Sequence, residues 1–103
     1  MTGYSQQMHD AVAAGDLQRP GVKLGAACID AQIPVQVVAK WLGLSRQGVY
    51  CWFTGKTEVA KRHLDKVERI TSVLLAAVDS GDLPAESLSV ALDIVKRYRN
   101  KKS

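Results

Sequence analysis

Residues 35–53 read VQVVAKWLGLSRQGVYCWF, and the way this stretch divides decides the fold. Pro34 marks its start, because the residue before a proline is pushed out of the α region and proline itself favours the first helical position. The spacing predicts a short helix over 35–42, closed by Gly43 in the left-handed conformation that glycine adopts without steric cost. Ser45 stands where it can cap a second helix running to Phe53. Val38, Leu42, Leu44, Val49 and Trp52 are apolar where the two helices bury against each other and the rest of the chain, and Ala39 is small where they approach most closely. Ser45, Arg46, Gln47, Gly48, Tyr50 and Cys51 are left facing outward. Two short helices on a tight glycine turn define a helix-turn-helix, whose second helix enters the DNA major groove while the first crosses the backbone.

Further helices flank this unit. Upstream, Tyr4, Met8, Ala11 and Val12 predict a helix over 2–14 that stops at Gly15-Asp16. After the break at Arg19-Pro20-Gly21, the residues Val22, Leu24, Gly25, Ala26, Cys28 and Ile29 predict a second helix to 31, with Pro20 in its first turn. Downstream, Thr54-Gly55-Lys56 breaks the chain, and Thr57 or a neighbour caps a long helix. In it Ala60, Leu64, Val67, Thr71, Leu74 and Val78 recur at heptad-like spacing as far as Ser80. Gly81 closes that helix, and Pro84 is expected to open a last one with Leu88, Ala91, Leu92, Val95 and Tyr98 on its apolar face. Nothing predicts a strand, so the class is all-α: a compact helical bundle. Its 103 residues suit one domain over 1–103, with a DNA-binding core at 22–66 and C-terminal helices and tail at 67–103.

At 47% hydrophobic and 23% charged the chain is neither disordered nor low-complexity. Its net charge of +4 is informative only by position. Residues 1–34 carry −1, residues 35–66 +4, residues 67–95 −4 and residues 96–103 +5. The middle block holds Lys40, Arg46 and Lys56, with no Asp or Glu over 35–57. A purely structural pair of helices would usually carry acids on its exposed face, so the basic face favours a polyanionic partner.

The segment AKWLGLSRQGVYCWFTGK resembles the helix-turn-helix of the Cro and lambda-repressor-like regulators, including the aromatic-Thr-Gly-Lys that ends the second helix. The likeness spans 22–66 and is gap-free inside the motif. It implies a DNA-binding unit of about five short helices. It also implies that Arg46 and Gln47 read base edges and that Tyr50, one turn on, adds base or methyl contacts. Arg forks onto guanine O6/N7 and Gln onto adenine N6/N7, each worth ~1–3 kcal/mol of discrimination. Ser45, Thr54 and Lys56 fall at positions that hold phosphates. Thr57 follows the loop, where a further contact is sometimes made. Where the family often has a phosphate-clamping Gln at the start of the first motif helix, this chain has Val35, with Gln36 next to it.

The implied function is a double-stranded DNA-binding transcriptional regulator, a repressor of the phage and prophage kind, on a palindromic operator. One recognition helix reads few base pairs, so a homodimer with half-sites ~34–36 Å apart is expected. Apolar surface on the 57–80 helix and the last helix supplies a candidate interface. Other readings of the same motif are an antitoxin, a phage DNA-packaging or replication module, and a helical interaction protein that binds no DNA.

Several features are read more plainly. Trp41, Trp52 and Phe53 sit at core spacing. Cys28 and Cys51 form no disulfide framework or metal motif, and His9 and His63 have no ligand-like neighbours, so no cofactor or metal is expected. The basic run Lys96, Arg97, Arg99, Lys101, Lys102 suits either a phosphate backbone or a solvated helix end. No GxSxG, phosphate loop or HExxH points to an enzyme. No membrane-length apolar run or signal peptide is present, so a cytoplasmic location is expected, with no membrane partner and no evident small-molecule ligand.

Overall fold

The computed structural model describes residues 6–100, the side chains of Gln7, His9 and Asn100 excepted. The start of the first expected helix, with Tyr4, therefore lies outside the described residues, as do Lys101, Lys102 and the imidazole of His9. Six helices follow one another: α1 Gln6–Ala13, α2 Pro20–Ala31, α3 Val35–Leu42, α4 Arg46–Phe53, α5 Lys61–Asp79 and α6 Leu88–Asn100. Among the described residues there is no strand.

The helix α2 is the hub, packing against α1, α4 and α5, while α3 lies on α4 and α5, and α6 lies on α5. One apolar cluster runs through all of these contacts, with Phe53, Leu24, Ile33, Leu74, Val22, Val38, Val49 and Val67 fully buried. Two glycines set the closest approach. A Cβ on Gly21 would stand 2.7 Å from the Trp52 carbonyl oxygen, and one on Gly25 would stand 2.9 Å from the Phe53 ring. Spaced one turn apart, Gly21 and Gly25 give α2 a flat strip on which the C-terminal half of α4 sits. Thr71 is the buried polar side chain of the core, and its hydroxyl donates to the Val67 carbonyl at 2.8 Å. Cys28 is fully buried, and the lost solvation pushes its thiol far above the ordinary range, so it packs as a small neutral group.

The bounds expected for α3 and α4 agree with the structure. Those of the C-terminal helices do not. The long helix starts at Lys61, not near Thr57, because Ala60 is its extended N-cap and no side chain caps it. Lys61 and Arg62 are exposed, and the first buried residue of the helix is Val67. The last helix starts at Leu88, not at Pro84: Ser87 Oγ accepts from the Val90 N–H at 3.3 Å and supplies the cap that proline was expected to provide. Leu83 is instead buried in the core ahead of the helix. Gln32 caps α2 in the left-handed region (φ 57°), a position where no glycine flags the helix end.

The apolar stripes of α5 and α6 are used within the monomer. Val67, Ile70, Leu74 and Ala77 of α5 and Ala91, Ile94 and Val95 of α6 are buried, and the exposed large hydrophobics among the described residues are Leu17 and Val90. Tyr98 Oη donates to Asp82 Oδ2 at 2.6 Å, fastening α6 to the loop before it.

Candidate nucleic-acid interface

Helix α3 begins from Pro34 in extended geometry (φ −63°, ψ 149°), burying Val35 and leaving Gln36 and Lys40 exposed. It ends on Gly43 (φ 70°, ψ 32°), where the Gly43 N–H donates to the Lys40 carbonyl at 3.2 Å and the Leu44 N–H to the Ala39 carbonyl at 2.9 Å. This double closure satisfies carbonyls that the helix end leaves open and turns the chain sharply into α4. Ser45 then caps α4, its Oγ accepting from the Gly48 N–H at 3.2 Å. That bond uses a lone pair of the hydroxyl and leaves its proton able to donate, which is what a phosphate oxygen requires.

Val49, Trp52 and Phe53 form the buried side of α4, and Arg46 and Gln47 in its first turn are exposed. With Ser45, they form a polar tip on a helix held from behind. Tyr50 is half-buried, with its ring edge-on to Phe53 at 6.4 Å and 78°. The structure therefore ties part of the Tyr50 ring to packing, whereas Arg46 and Gln47 have no such commitment. Cys51 is likewise half-buried.

The loop after α4 folds back on it. The Thr54 hydroxyl donates to the Tyr50 carbonyl at 3.0 Å, so its proton caps the helix end and would have to leave that carbonyl to meet a phosphate. Lys56 and Thr57 are exposed, and their N–H groups donate to the Cys51 carbonyl at 2.9 and 3.3 Å. Gly55 (φ 79°) makes the turn that presents them.

Arg19 holds this loop from the far side of the chain, a role the sequence reading missed. One of its guanidinium nitrogens donates to the Gly55 carbonyl at 2.8 Å and the other lies 3.6 Å from Glu58 Oε2. The ion pair is exposed on the Glu58 side and contributes little by itself. The bond to the carbonyl fixes position: it joins the N-cap residue of α2 to the loop that follows α4. The Gly21/Gly25 strip was also missed, although the four-residue spacing of the two glycines was visible. His63 of α5 packs against Trp52, with ring centroids 5.7 Å apart and the planes tilted by 52°.

Of the expected site residues, Arg46, Gln47 and half-buried Tyr50 lie on α4 with Ser45 as its N-cap, Thr54, Lys56 and Thr57 lie on the adjoining loop, and exposed Gln36 lies on the first turn of α3. Among the described residues no three His, Cys, Asp or Glu side chains converge as a metal site, and no helix is long and apolar enough to cross a membrane. Compared with known proteins, the chain matches no family model, no curated protein and no solved structure.

Proposed function

We propose that this chain is a sequence-specific double-stranded DNA-binding regulator, a repressor that places the first turn of α4 in the major groove. One observation carries this reading: an eight-residue helix, seated on the glycines of α2 and capped by Ser45, projects Arg46 and Gln47 from a stretch, residues 35–57, that has no Asp or Glu. Those two side chains have the donor and acceptor patterns that fork onto guanine and adenine edges. Ser45, Lys56 and the exposed N-terminal end of α4 supply the charge and donors that fix register on phosphates. In this reading Gln36 and Thr57 are peripheral phosphate contacts, and Thr54 acts mainly by closing the helix.

A single short helix reads too few base pairs for useful selectivity, so the regulator works as a homodimer on two-fold related half-sites. Much of the apolar surface of α5 and α6 lies in the core, while Leu64, Val73, Leu75 and Val78 of α5 and Leu88 and Leu92 of α6 stay half-buried and Val90 is exposed. The test is selection of bound sequences from random duplex DNA by the full chain. A palindromic consensus is the expected result. Recovery without sequence enrichment would overturn base reading, and enrichment of a lone half-site would overturn the dimer.

A further inference from the structure

Away from α4, a cavity of about 80 Å³ lies between α3, α5 and α6, lined by Trp41, Lys66, Arg69, Ile70, Val73 and Arg99. Every polar atom its side chains offer is a donor: the Lys66 ammonium, two guanidinium groups and the indole N–H of Trp41. None of its side chains can accept. The larger cavity, about 270 Å³ between α2 and α5, differs in this respect, since Glu68, Gln18, Thr71 and Ser72 mix acceptors with Lys23.

The three cations come from two helices, yet none has a carboxylate within 4 Å among the described residues, where Arg19–Glu58 is the ion pair. Asp65 and Glu68 are sequence neighbours of Lys66 and Arg69 on α5 without pairing with them. All three side chains are exposed at the rim of the groove, and like charges brought together repel. An acceptor-only ligand of negative charge resolves both the repulsion and the donor excess. Arginine pairs with lysine here, and the planar guanidinium fork suits a phosphate's oxygens.

We infer that this groove is a second phosphate-binding site, holding a backbone phosphate of the same DNA that α4 reads, without regard to base. The inference rests on the DNA-binding reading. Continuity supports it: Trp41 lies four residues before the Ser45 cap, and exposed Lys40 stands beside it. Helix α3, which carries Trp41, packs directly on α4. The groove also gives Arg99, from the basic end of the chain, a defined role.

The test compares the full chain with the triple variant Lys66→Gln/Arg69→Gln/Arg99→Gln and with Arg46→Ala/Gln47→Ala. Anisotropy titrations use the selected duplex and a scrambled one over a range of salt, with circular dichroism verifying the fold. The triple variant is expected to flatten the slope of log K against log salt by about 0.9, the value for one phosphate contact. Both duplexes should weaken by about 10-fold while their affinity ratio stays unchanged. The double variant should collapse that ratio instead. An unchanged slope in the triple variant, with the wild-type ratio intact, overturns the groove alone. A wild-type ratio of one with a flattened triple-variant slope overturns base reading and leaves the groove standing, and no duplex binding by the wild type overturns both.

Discussion

Helices α4 and α5 are both amphipathic, but they divide their side chains in opposite ways. The nineteen residues of α5 bury Val67, Ile70, Thr71, Leu74 and Ala77 along most of their length, and its exposed side mixes Lys61, Arg62, Asp65, Lys66, Glu68 and Arg69. The eight residues of α4 bury only Val49, Trp52 and Phe53, none of them among the first three. Its first turn adds little to the core and is positioned by other elements: the Gly43 turn, the Ser45 cap, the glycine strip of α2 and Arg19. One helix holds the bundle together, while the other presents a surface. Stability and binding should accordingly separate along the length of α4 itself.

The sharpest way to break that division is at its buried end. Phe53→Ala, removing a fully buried ring, should cost ~3–5 kcal/mol in urea-induced unfolding. A loss below about 1 kcal/mol would mean that α4 is not anchored as described. Next, Gly21→Ala drives a methyl against the Trp52 carbonyl, a backbone atom that cannot rotate away. Overpacking should outweigh the helix-propensity gain and leave a net loss of ~1–2 kcal/mol by the same measurement. At the other end of α4, Arg46→Ala or Gln47→Ala should leave the unfolding free energy within ~0.5 kcal/mol. Either change should still remove ~1–3 kcal/mol of discrimination between the selected duplex and its point variants.

The two ends of α4 were not equally legible in the sequence, and neither were the two halves of the molecule. Gly43 and Ser45 fix the ends of α3 and α4 by local chemistry, a left-handed closure and a side-chain cap, so those bounds could be read residue by residue. The start of α5 has no such signal: no side chain caps it at Ala60, and its first residues, Lys61 and Arg62, are exposed. At α6 the signals misled, because Pro84 resembles a helix start while Ser87 is the actual cap. The candidate base-reading pair was visible because exposure follows from helical period. Arg19 was not, since its bond to the Gly55 carbonyl joins residues thirty-six positions apart and depends on how α2 meets α4. The groove around Trp41 was hidden for the same reason, its cations coming from α5 and α6.

Two smaller effects sharpen the division further. Ser45→Ala loses the bond from the Gly48 N–H and should cost ~1 kcal/mol of stability. Ser45→Asp should preserve stability by keeping the cap yet weaken duplex binding by adding negative charge, so equal affinities for Ser45→Asp and wild type would remove Ser45 from the interface. Lys56→Ala should be the mildest, weakening all duplexes alike and lowering the salt slope by about 1 in titrations of random DNA.

The bond from Arg19 to the Gly55 carbonyl has a consequence for transplantation. A segment covering 35–57 would take its own turn, cap and outward side chains into a foreign helical scaffold. It would leave behind the residues that set the tilt of α4: the two glycines beneath it and the guanidinium at its rear. Such a chimaera would display the right side chains at the wrong angle. The smallest portable unit therefore begins at Arg19, upstream of both helices that it orients.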